Sequence, residues 1–333
     1  MALRFIDSCG DYYSTAQINR KWTSNVSGAV SAGTGRRGTN GLAFNTGTIY
    51  RKALTSQATW IAGMSLKISA LPASTCIIIA FFDSATEQVS LRVDTTGHLV
   101  VSRNGVTLAT SANALDLNEN YIEFKATINN TTGAYEARVN GVNWVSGSGA
   151  NTRSTANNSA DSPQFGPTNW GSAGTVIDDI YLCDGSGGAN NDFLGDTRVD
   201  AVFPSGAGNS TQLTPSTGSN FQNVDDNPAN DDTDYNSSST VGQKDTYAFG
   251  DITHTPVAIF GVQVCMTARK DDAGARSVAS VTRSGGSDFD GTTQALATGY
   301  TQYLQVLETD PNTAAAWTKT NLNAAEFGAK VAA

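Results

Sequence analysis

The stretch Tyr121–Trp144, YIEFKATINNTTGAYEARVNGVNW, is the clearest indicator of the fold. Its opening residues alternate between apolar side chains at even positions 122–128 and mostly polar side chains at odd positions 121–127. Successive side chains of a strand point to opposite faces, so this alternation predicts a half-buried strand. The polar loop 129–133 then reverses the chain, and Asn140-Gly141 suits a type I′ turn, whose two central residues have positive φ. The stretch therefore predicts a three-stranded antiparallel meander.

The composition of the whole chain agrees with a β-rich protein. Among 333 residues, 33 are glycine and only 15% are charged. Short apolar runs recur at regular spacing and are separated by turn residues. The best helical candidate, Ala314–Ala325, is short and weak. The sequence therefore predicts an all-β fold class.

The glycine-rich stretch Asp184–Asn191, DGSGGANN, is the best candidate for a linker. It divides the chain into two predicted domains, residues 1–188 and residues 189–333. Evenly spaced short strands in each part are typical of a β-sandwich. In the second part, Val257–Ala268 is predicted to pair with Arg276–Arg283 across the turn between them. The prediction is two β-sandwich (jelly-roll-like) domains in tandem.

The formal charge of −9 and the isoelectric point of about 4.7 limit the partners that the protein can bind. Nucleic acids and anionic membrane surfaces attract Lys and Arg, so neither is expected as a partner. Residues 1–14 lack the basic and apolar regions of a signal peptide, and the longest apolar run, Cys76–Phe82, has only the length of a strand. We therefore expect a protein that folds in the cytoplasm and does not insert into a membrane.

The cysteines and histidines form no recognisable metal or disulfide pattern. The four cysteines are far apart, none of them in a Cys-x-x-Cys pair, and both histidines are isolated, so no zinc site is predicted. Cys76, Cys183 and Cys265 lie within apolar strands and are expected to be buried free thiols. Unpaired cysteines suit folding in a reducing cytoplasm.

The residue patterns of common hydrolases are missing from the sequence. A glycosidase needs two carboxylates that face each other across the sugar. The strand pattern E-x-D-x-x-E of jelly-roll glucanases does not occur, since Glu119 and Glu123 have no Asp between them. Neither His98 nor His254 is accompanied by the G-x-S-x-G turn of a serine hydrolase. The sequence therefore predicts that the protein is not an enzyme and has no catalytic residues.

A cluster of aspartates in one polar loop is the candidate metal site, with Ca²⁺ as the candidate ion. Clustered carboxylates in a flexible loop are the ligands that Ca²⁺ prefers. Pro228 interrupts the cluster and no glutamate closes it, so it is not an EF-hand. A solvated acidic loop is the simpler interpretation. The five candidate ligands are Asp225, Asp226, Asp231, Asp232 and Asp234.

Two tryptophans are candidate ligand-binding residues. Aromatic rings can stack on the apolar faces of sugar rings, and Trp144 near a hairpin end and Trp170 in a polar loop could serve in this way. Tryptophans in β-sandwiches mostly pack in the core, so core packing is the alternative for both. The ligand that this hypothesis predicts is a glycan.

Parts of the sequence resemble known families. Asn-Gly-Val at 140–142 and the strand DDIYLCDG at 178–185 resemble the concanavalin-A-like and laminin-G-like jelly roll. The chain as a whole resembles a family of tailed-bacteriophage virion proteins that begin with such a jelly roll. Six matching segments carry this resemblance: FIDSCGDYYSTAQINRKWTS (5–24), GTGRRGTNGLAF (33–44), DDIYLCDGSGGANNDFLGDTRV (178–199), STVGQKDTYAF (239–249), ARKDDAGARSV (268–278) and NAAEFGAKV (323–331).

The resemblance implies a non-enzymatic structural protein of a phage virion, assembled in the host cytoplasm. A tail-associated or appendage component is the expectation. The implied partners are other virion proteins and further copies of the same chain in a symmetric oligomer. Two alternatives remain open: a capsid decoration or cement protein, and a carbohydrate-binding module that attaches to host-surface glycans.

Overall fold

The computed structural model describes residues 2–166, 170–171 and 174–333. The chain divides into two compact units, Met1–Val199 and Asp200–Ala333. The predicted boundary at residue 188 falls before the observed one, because segment 192–199 hydrogen-bonds to strands of the first unit. The glycine-rich stretch 184–191, predicted as a linker, lies inside the first unit.

The first unit consists of fifteen strands and one short helix among the described residues, with one turn of 3₁₀-helix at Arg36–Gly38. The elements are β1 Leu3–Asp7, α1 Thr15–Lys21, β2 Ser24–Val26, β3 Val30–Ser31, β4 Gly41–Ala43, β5 Ile49–Arg51, β6 Thr59–Lys67, β7 Cys76–Asp83, β8 Thr86–Val93, β9 His98–Arg103, β10 Val106–Ala114, β11 Glu119–Thr127, β12 Gly133–Val139, β13 Val142–Ala150, β14 Ser162–Phe165 and β15 Val176–Asp184.

These strands form two antiparallel sheets that pack face to face. The first sheet has the order β13-β12-β11-β6-β15-β4-β3, with β1 added on β15. The second sheet has the order β10-β9-β8-β7-β14-β5-β2. Phe124 of the first sheet stacks on Phe81 of the second, with 5.4 Å between ring centroids. The first unit is therefore a jelly-roll-like β-sandwich, as predicted.

The predicted meander is present as β11, β12 and β13. Asn140 and Gly141 have φ values of +50° and +79°, the left-handed conformation that a type I′ turn requires. Ile122 and Phe124 are fully buried between the two sheets. The odd-numbered residues of β11 therefore lie on the opposite face, which we call the outer face of the first sheet.

The second unit contains ten strands and one short helix among its residues, all of which the structure describes. The helices of the described chain are too short or too polar to cross a membrane. A single 3₁₀ turn lies at Asn220–Asn223. The other elements are β16 Pro204–Thr211, β17 Thr214–Pro215, β18 Asn236–Ser237, β19 Lys244–Phe249, β20 Val262–Ala268, β21 Ser277–Ser284, β22 Ser287–Asp290, β23 Gln294–Ala295, β24 Thr301–Leu307, α2 Lys319–Asn323 and β25 Glu326–Val331.

A six-stranded sheet and a two-stranded ribbon form the core of the second unit. The sheet has the order β16-β19-β25-β21-β22, with β23 added on β21, and the ribbon is β20-β24. Val264 and Tyr303 of the ribbon pack with Val278 and Phe327 of the sheet. The all-β prediction with two β-sandwich domains is therefore confirmed.

Two predictions about the second unit are wrong. β20 pairs with β24, and β21 pairs with β25, so the segments 257–268 and 276–283 belong to different layers and not to one hairpin. Each strand buries its apolar face against the opposite layer of the sandwich, so the two strands lie in different layers. Cys265 is exposed because it alternates with the core-facing residues Val264 and Met266.

Candidate functional site

A concentration of charged and phenolic side chains lies on the outer face of the first sheet. The segment 192–199, which we call the strap, binds to this face through hydrogen bonds and ion pairs. Asp192 at its start pairs with Lys125 of β11, with 3.0 Å between Nζ and Oδ1. The guanidinium of Arg138 on β12 lies 4.1 Å from the ring centroid of Phe193, a cation–π contact.

Glu123 of β11 binds the middle of the strap. Its Oε1 accepts hydrogen bonds from the backbone N–H of Gly195, at 2.8 Å, and from the hydroxyl of Tyr181 on β15. The same hydroxyl accepts from the N–H of Leu194 at 3.2 Å. Burial raises the pKa of Tyr181 well above its usual value, so the phenol keeps its proton and remains a donor. Glu123 is fully buried, and its Oε2 has no hydrogen-bond partner among the described residues.

Gly63 of β6 makes room for Tyr181. The two residues are direct partners in the pairing of β6 with β15. A Cβ atom at position 63 would lie 2.1 Å from Cε1 of Tyr181, far inside van der Waals contact. The backbone at this glycine is ordinary extended strand, so the requirement is steric. The ring of Tyr181 therefore lies flat over the strand, where its hydroxyl can reach Glu123.

Asp179 and two arginines bind the end of the strap. Asp179 has a φ of +50° within an irregularity of the β15–β6 pairing. Its carboxylate accepts from the N–H of Val199 at 2.8 Å and pairs with Arg36 and Arg37. Arg36 also holds Asp196 of the strap in a two-pronged contact of 2.6 and 2.8 Å. Such bidentate pairs are the stronger class of charged hydrogen bond.

Asp178 is the most perturbed carboxyl of this group. Burial and the neighbouring charge of Asp179 raise its pKa to about 7, although the backbone N–H groups of Asp179 and Arg36 donate to it. Burial raises the pKa of Asp179 as well. These groups bind their own chain and can anchor the strap, and Asp178 can take up a proton near neutral pH.

Asp178 makes stability depend on pH in a direction opposite to that of most aspartates. The unfolded carboxyl loses its proton near pH 4, whereas the folded one keeps it until about pH 7. The contribution of Asp178 to stability is therefore fully present below about pH 4 and falls as the pH rises through 7. Urea unfolding measures this effect. Between pH 5 and pH 8 the free energy of unfolding of the wild type should decrease by about 2 kcal/mol more than that of Asp178→Asn. Equal losses in the two proteins would contradict this assignment.

Trp170 does not fit the sugar-binding hypothesis. Its side chain is fully buried, its Nε1 donates to the carbonyl of Ala70 at 3.0 Å, and its ring packs against Phe44. A ring with no exposed face cannot stack on a sugar, so the prediction for Trp170 is wrong and the core alternative holds. Trp144 is half-buried on the edge strand β13, where the pairing with β12 is irregular. Its role as a ligand-binding residue stays a prediction.

The acidic loop of the second unit uses one of its carboxylates in a salt bridge. Asp232 accepts from Arg269 and from the hydroxyl of Tyr300, each at 2.9 Å. Asp226 accepts from Asn230 at 2.8 Å. Within the described ranges, no group of three or more His, Cys, Asp or Glu side chains is placed to hold a metal ion. The Ca²⁺ prediction for Asp225, Asp226, Asp231, Asp232 and Asp234 therefore gains no support from the geometry.

The anchor of the strap was not predicted. The alternation in β11 does place Glu123 beside Tyr121 on one face, and Asp178-Asp179 stand out as adjacent acids in an apolar strand. Neither signal indicates which segment covers them. The strap residues that they bind lie 72 residues from Glu123, at Gly195, and 20 residues from Asp179, at Val199.

Comparisons with known proteins find likeness only among solved structures. No protein-family model matches the sequence, and no curated protein is significantly similar to it. A sialidase of Trypanosoma rangeli matches with a TM-score of 0.34 and 15% identity over 47% of this chain and 27% of that chain. The alginate lyase Aly36B matches with a TM-score of 0.39 and 12% identity, over 54% and 95% of the two chains. The cellulose-induced protein Cip1 matches with a TM-score of 0.40 and 13% identity, over 60% of this chain and 100% of that chain.

These similarities are too low to transfer an activity. The chain spans about a quarter of the length of the sialidase that it matches. The TM-scores quoted lie below 0.5, so no site or substrate of those proteins is assigned to this chain.

Proposed function

We propose that this protein is a non-enzymatic structural component of a tailed-phage particle, tail-associated or part of an appendage. The observation that carries the proposal is the place of the matching segments in the fold. In the first unit, segment 5–24 contains the buried pair Asp7 and Lys21. Segment 33–44 contributes Arg36, which binds segment 178–199 at Asp179 and Asp196. The segments that resemble virion proteins thus hold the chain together.

The same relation holds in the second unit. Segment 239–249 contains Asp245, which is fully buried and accepts from the N–H groups of Gln212 and Leu213 at 2.6 and 2.9 Å. Segment 323–331 contains Glu326, whose Oε2 accepts from the hydroxyl of Thr246 at 2.6 Å. A buried carboxylate such as Asp245, which binds the protein's own backbone, suits a scaffold because it specifies the path of a loop.

The proposal predicts that the protein is part of the purified particle. Quantitative mass spectrometry of phage particles should detect peptides from both units at a few to a few dozen copies, because a tail has few symmetry-related positions. Light scattering of the isolated protein should give a multiple of 34.7 kDa.

Other copy numbers discriminate between the alternatives. Hundreds of copies per particle would favour a capsid decoration or cement protein over a tail component. A protein that is monomeric in solution and absent from washed particles would refute the structural role. Release of reducing sugar from host polysaccharide by the purified protein would contradict the non-enzymatic part of the proposal.

A further inference from the structure

A cavity of about 290 Å³ lies within the second unit, between the sheet strands β21 and β22 and the ribbon strand β24. Ser280 and Thr282 line it from the sheet, and Gln305 and Leu307 line it from the ribbon. Phe289 contributes an aromatic wall. All of its lining residues belong to the second unit and lie outside the acidic loop.

The cavity follows from a change of residue type along two facing strands. Val278 of β21 and Tyr303 of β24 meet in the hydrophobic core. Two residues further along, on the same faces, the strands carry Ser280 and Gln305 in place of large apolar side chains. The small side chain of Ser280 does not fill the space between the sheet and the ribbon. A polar cavity therefore lies next to the hydrophobic core.

The polar groups of this space are available to a ligand. Ser280 and Thr282 are only 1% and 2% exposed as whole residues, and both line the cavity. Each hydroxyl group can both donate and accept a hydrogen bond, so a ligand that enters the cavity can bond to it. Gln305 is fixed, because its Oε1 accepts from the N–H of Thr292 at 3.0 Å and its Nε2 donates to the carbonyl of Val306 at 3.2 Å.

Gly291 keeps this space open. A Cβ atom at this position would lie 2.2 Å from Oγ of Ser280 and 3.1 Å from Oε1 of Gln305. A side chain would therefore occupy the space in front of both polar groups. Asp290 at the same turn pairs with Lys330, so the carboxylate that lines the cavity already has a counter-charge.

The lining indicates the chemical class of the ligand. Hydroxyl and amide groups both donate and accept hydrogen bonds, as the hydroxyls of a sugar do. Phe289 and Pro311 add apolar surface that can contact the C–H face of a sugar ring. The volume lies at the lower limit of small-molecule sites, which suits one ring and not an oligosaccharide. We propose that this cavity binds a single neutral monosaccharide unit, as a glycan site of the second unit.

The test uses the full chain and saturation-transfer NMR with the methyl glycosides of glucose, galactose, mannose and N-acetylglucosamine. At least one glycoside should give transfer with millimolar affinity. Thr282→Val removes a hydroxyl at nearly constant volume and should weaken binding about threefold to tenfold. Gly291→Ala should abolish binding by filling the space. Thr293→Val, next to the lining residue Thr292 but exposed and outside the cavity, should leave affinity unchanged.

The outcomes are decisive in both directions. Absence of transfer with all four glycosides would overturn the proposal, as would equal affinity in the wild type and Thr282→Val. Circular dichroism of each variant establishes that it is folded before binding is measured. The result is independent of the particle assay, since a protein can be part of a virion whether or not it binds sugar.

Discussion

Replacement of Asp7 by alanine is expected to lower the free energy of unfolding by about 3–5 kcal/mol. Asp7 is fully buried, and its Oδ1 lies 3.0 Å from Nζ of Lys21, itself only 5% exposed. Oδ2 accepts from the Tyr12 hydroxyl at 2.6 Å and from Nε1 of Trp22 at 2.8 Å. Alanine would leave these donors and a buried ammonium without this acceptor, and removal of one member of a buried ion pair is strongly destabilising.

Urea unfolding followed by tryptophan fluorescence measures the effect of Asp7→Ala. Asp11→Ala is the matched control: it removes a half-exposed carboxylate of the same loop, which accepts only from the Ser8 hydroxyl among the contacts described. Asp11→Ala is expected to lower the free energy of unfolding by no more than about 1 kcal/mol. If Asp7→Ala behaved like Asp11→Ala, the buried network would not stabilise the fold.

A double variant separates the ion pair from the hydrogen bonds. Asp7→Ala combined with Lys21→Met should lose less stability than the sum of the two single changes, because the second change removes the charge that the first leaves unpaired. The remaining loss then reports the unsatisfied Tyr12 and Trp22 donors.

Gly63→Ala is expected to destabilise the first unit by about 3 kcal/mol, at the upper end of the range for overpacking. The new Cβ would lie 2.1 Å from the ring of Tyr181, which is fully buried and cannot move without breaking its hydrogen bond to Glu123. That bond and the one from Gly195 hold the strap. Loss of stability should therefore be accompanied by release of the strap.

Limited trypsin digestion detects release of the strap, since Arg198 lies within it. Cleavage after Arg198 should accelerate in Gly63→Ala. Gly188→Ala is the matched control, because a Cβ at position 188 meets no atom within 4 Å and the backbone there has no positive φ. Equal unfolding free energies and cleavage rates in the two variants would show that the contact of Gly63 with Tyr181 does not position the strap.

Local sequence pattern was sufficient to predict structure where the paired strands lie within one short stretch of the chain. The alternation of β11 and the Asn140-Gly141 turn predict a meander, and the structure has it in the predicted place. A strand and its hairpin partner are a few residues apart, so turn chemistry and the period of two specify their register.

Trp170 shows where the local pattern was insufficient. A tryptophan in a polar loop is compatible with an exposed sugar platform, but its Nε1 bonds to the carbonyl of Ala70, 100 residues earlier. The pairing of β20 with β24 is similar, since a short polar turn before β21 predicts a hairpin that the core does not use. The burial of Trp170 and the pairing of β20 both depend on which distant part of the chain covers an apolar side chain.

The all-β class, the two β-sandwiches in tandem and the turn that joins β12 to β13 follow from the amino-acid sequence alone. The end of the first unit does not, because the strap belongs to this unit through its hydrogen bonds to Glu123 and Asp179, which its composition does not reveal. The tertiary structure also places Ser280, Thr282 and Gln305 around one cavity. Hydrogen-bond partners and cavities depend on atoms far apart in the chain, and short-range patterns carry no information about them.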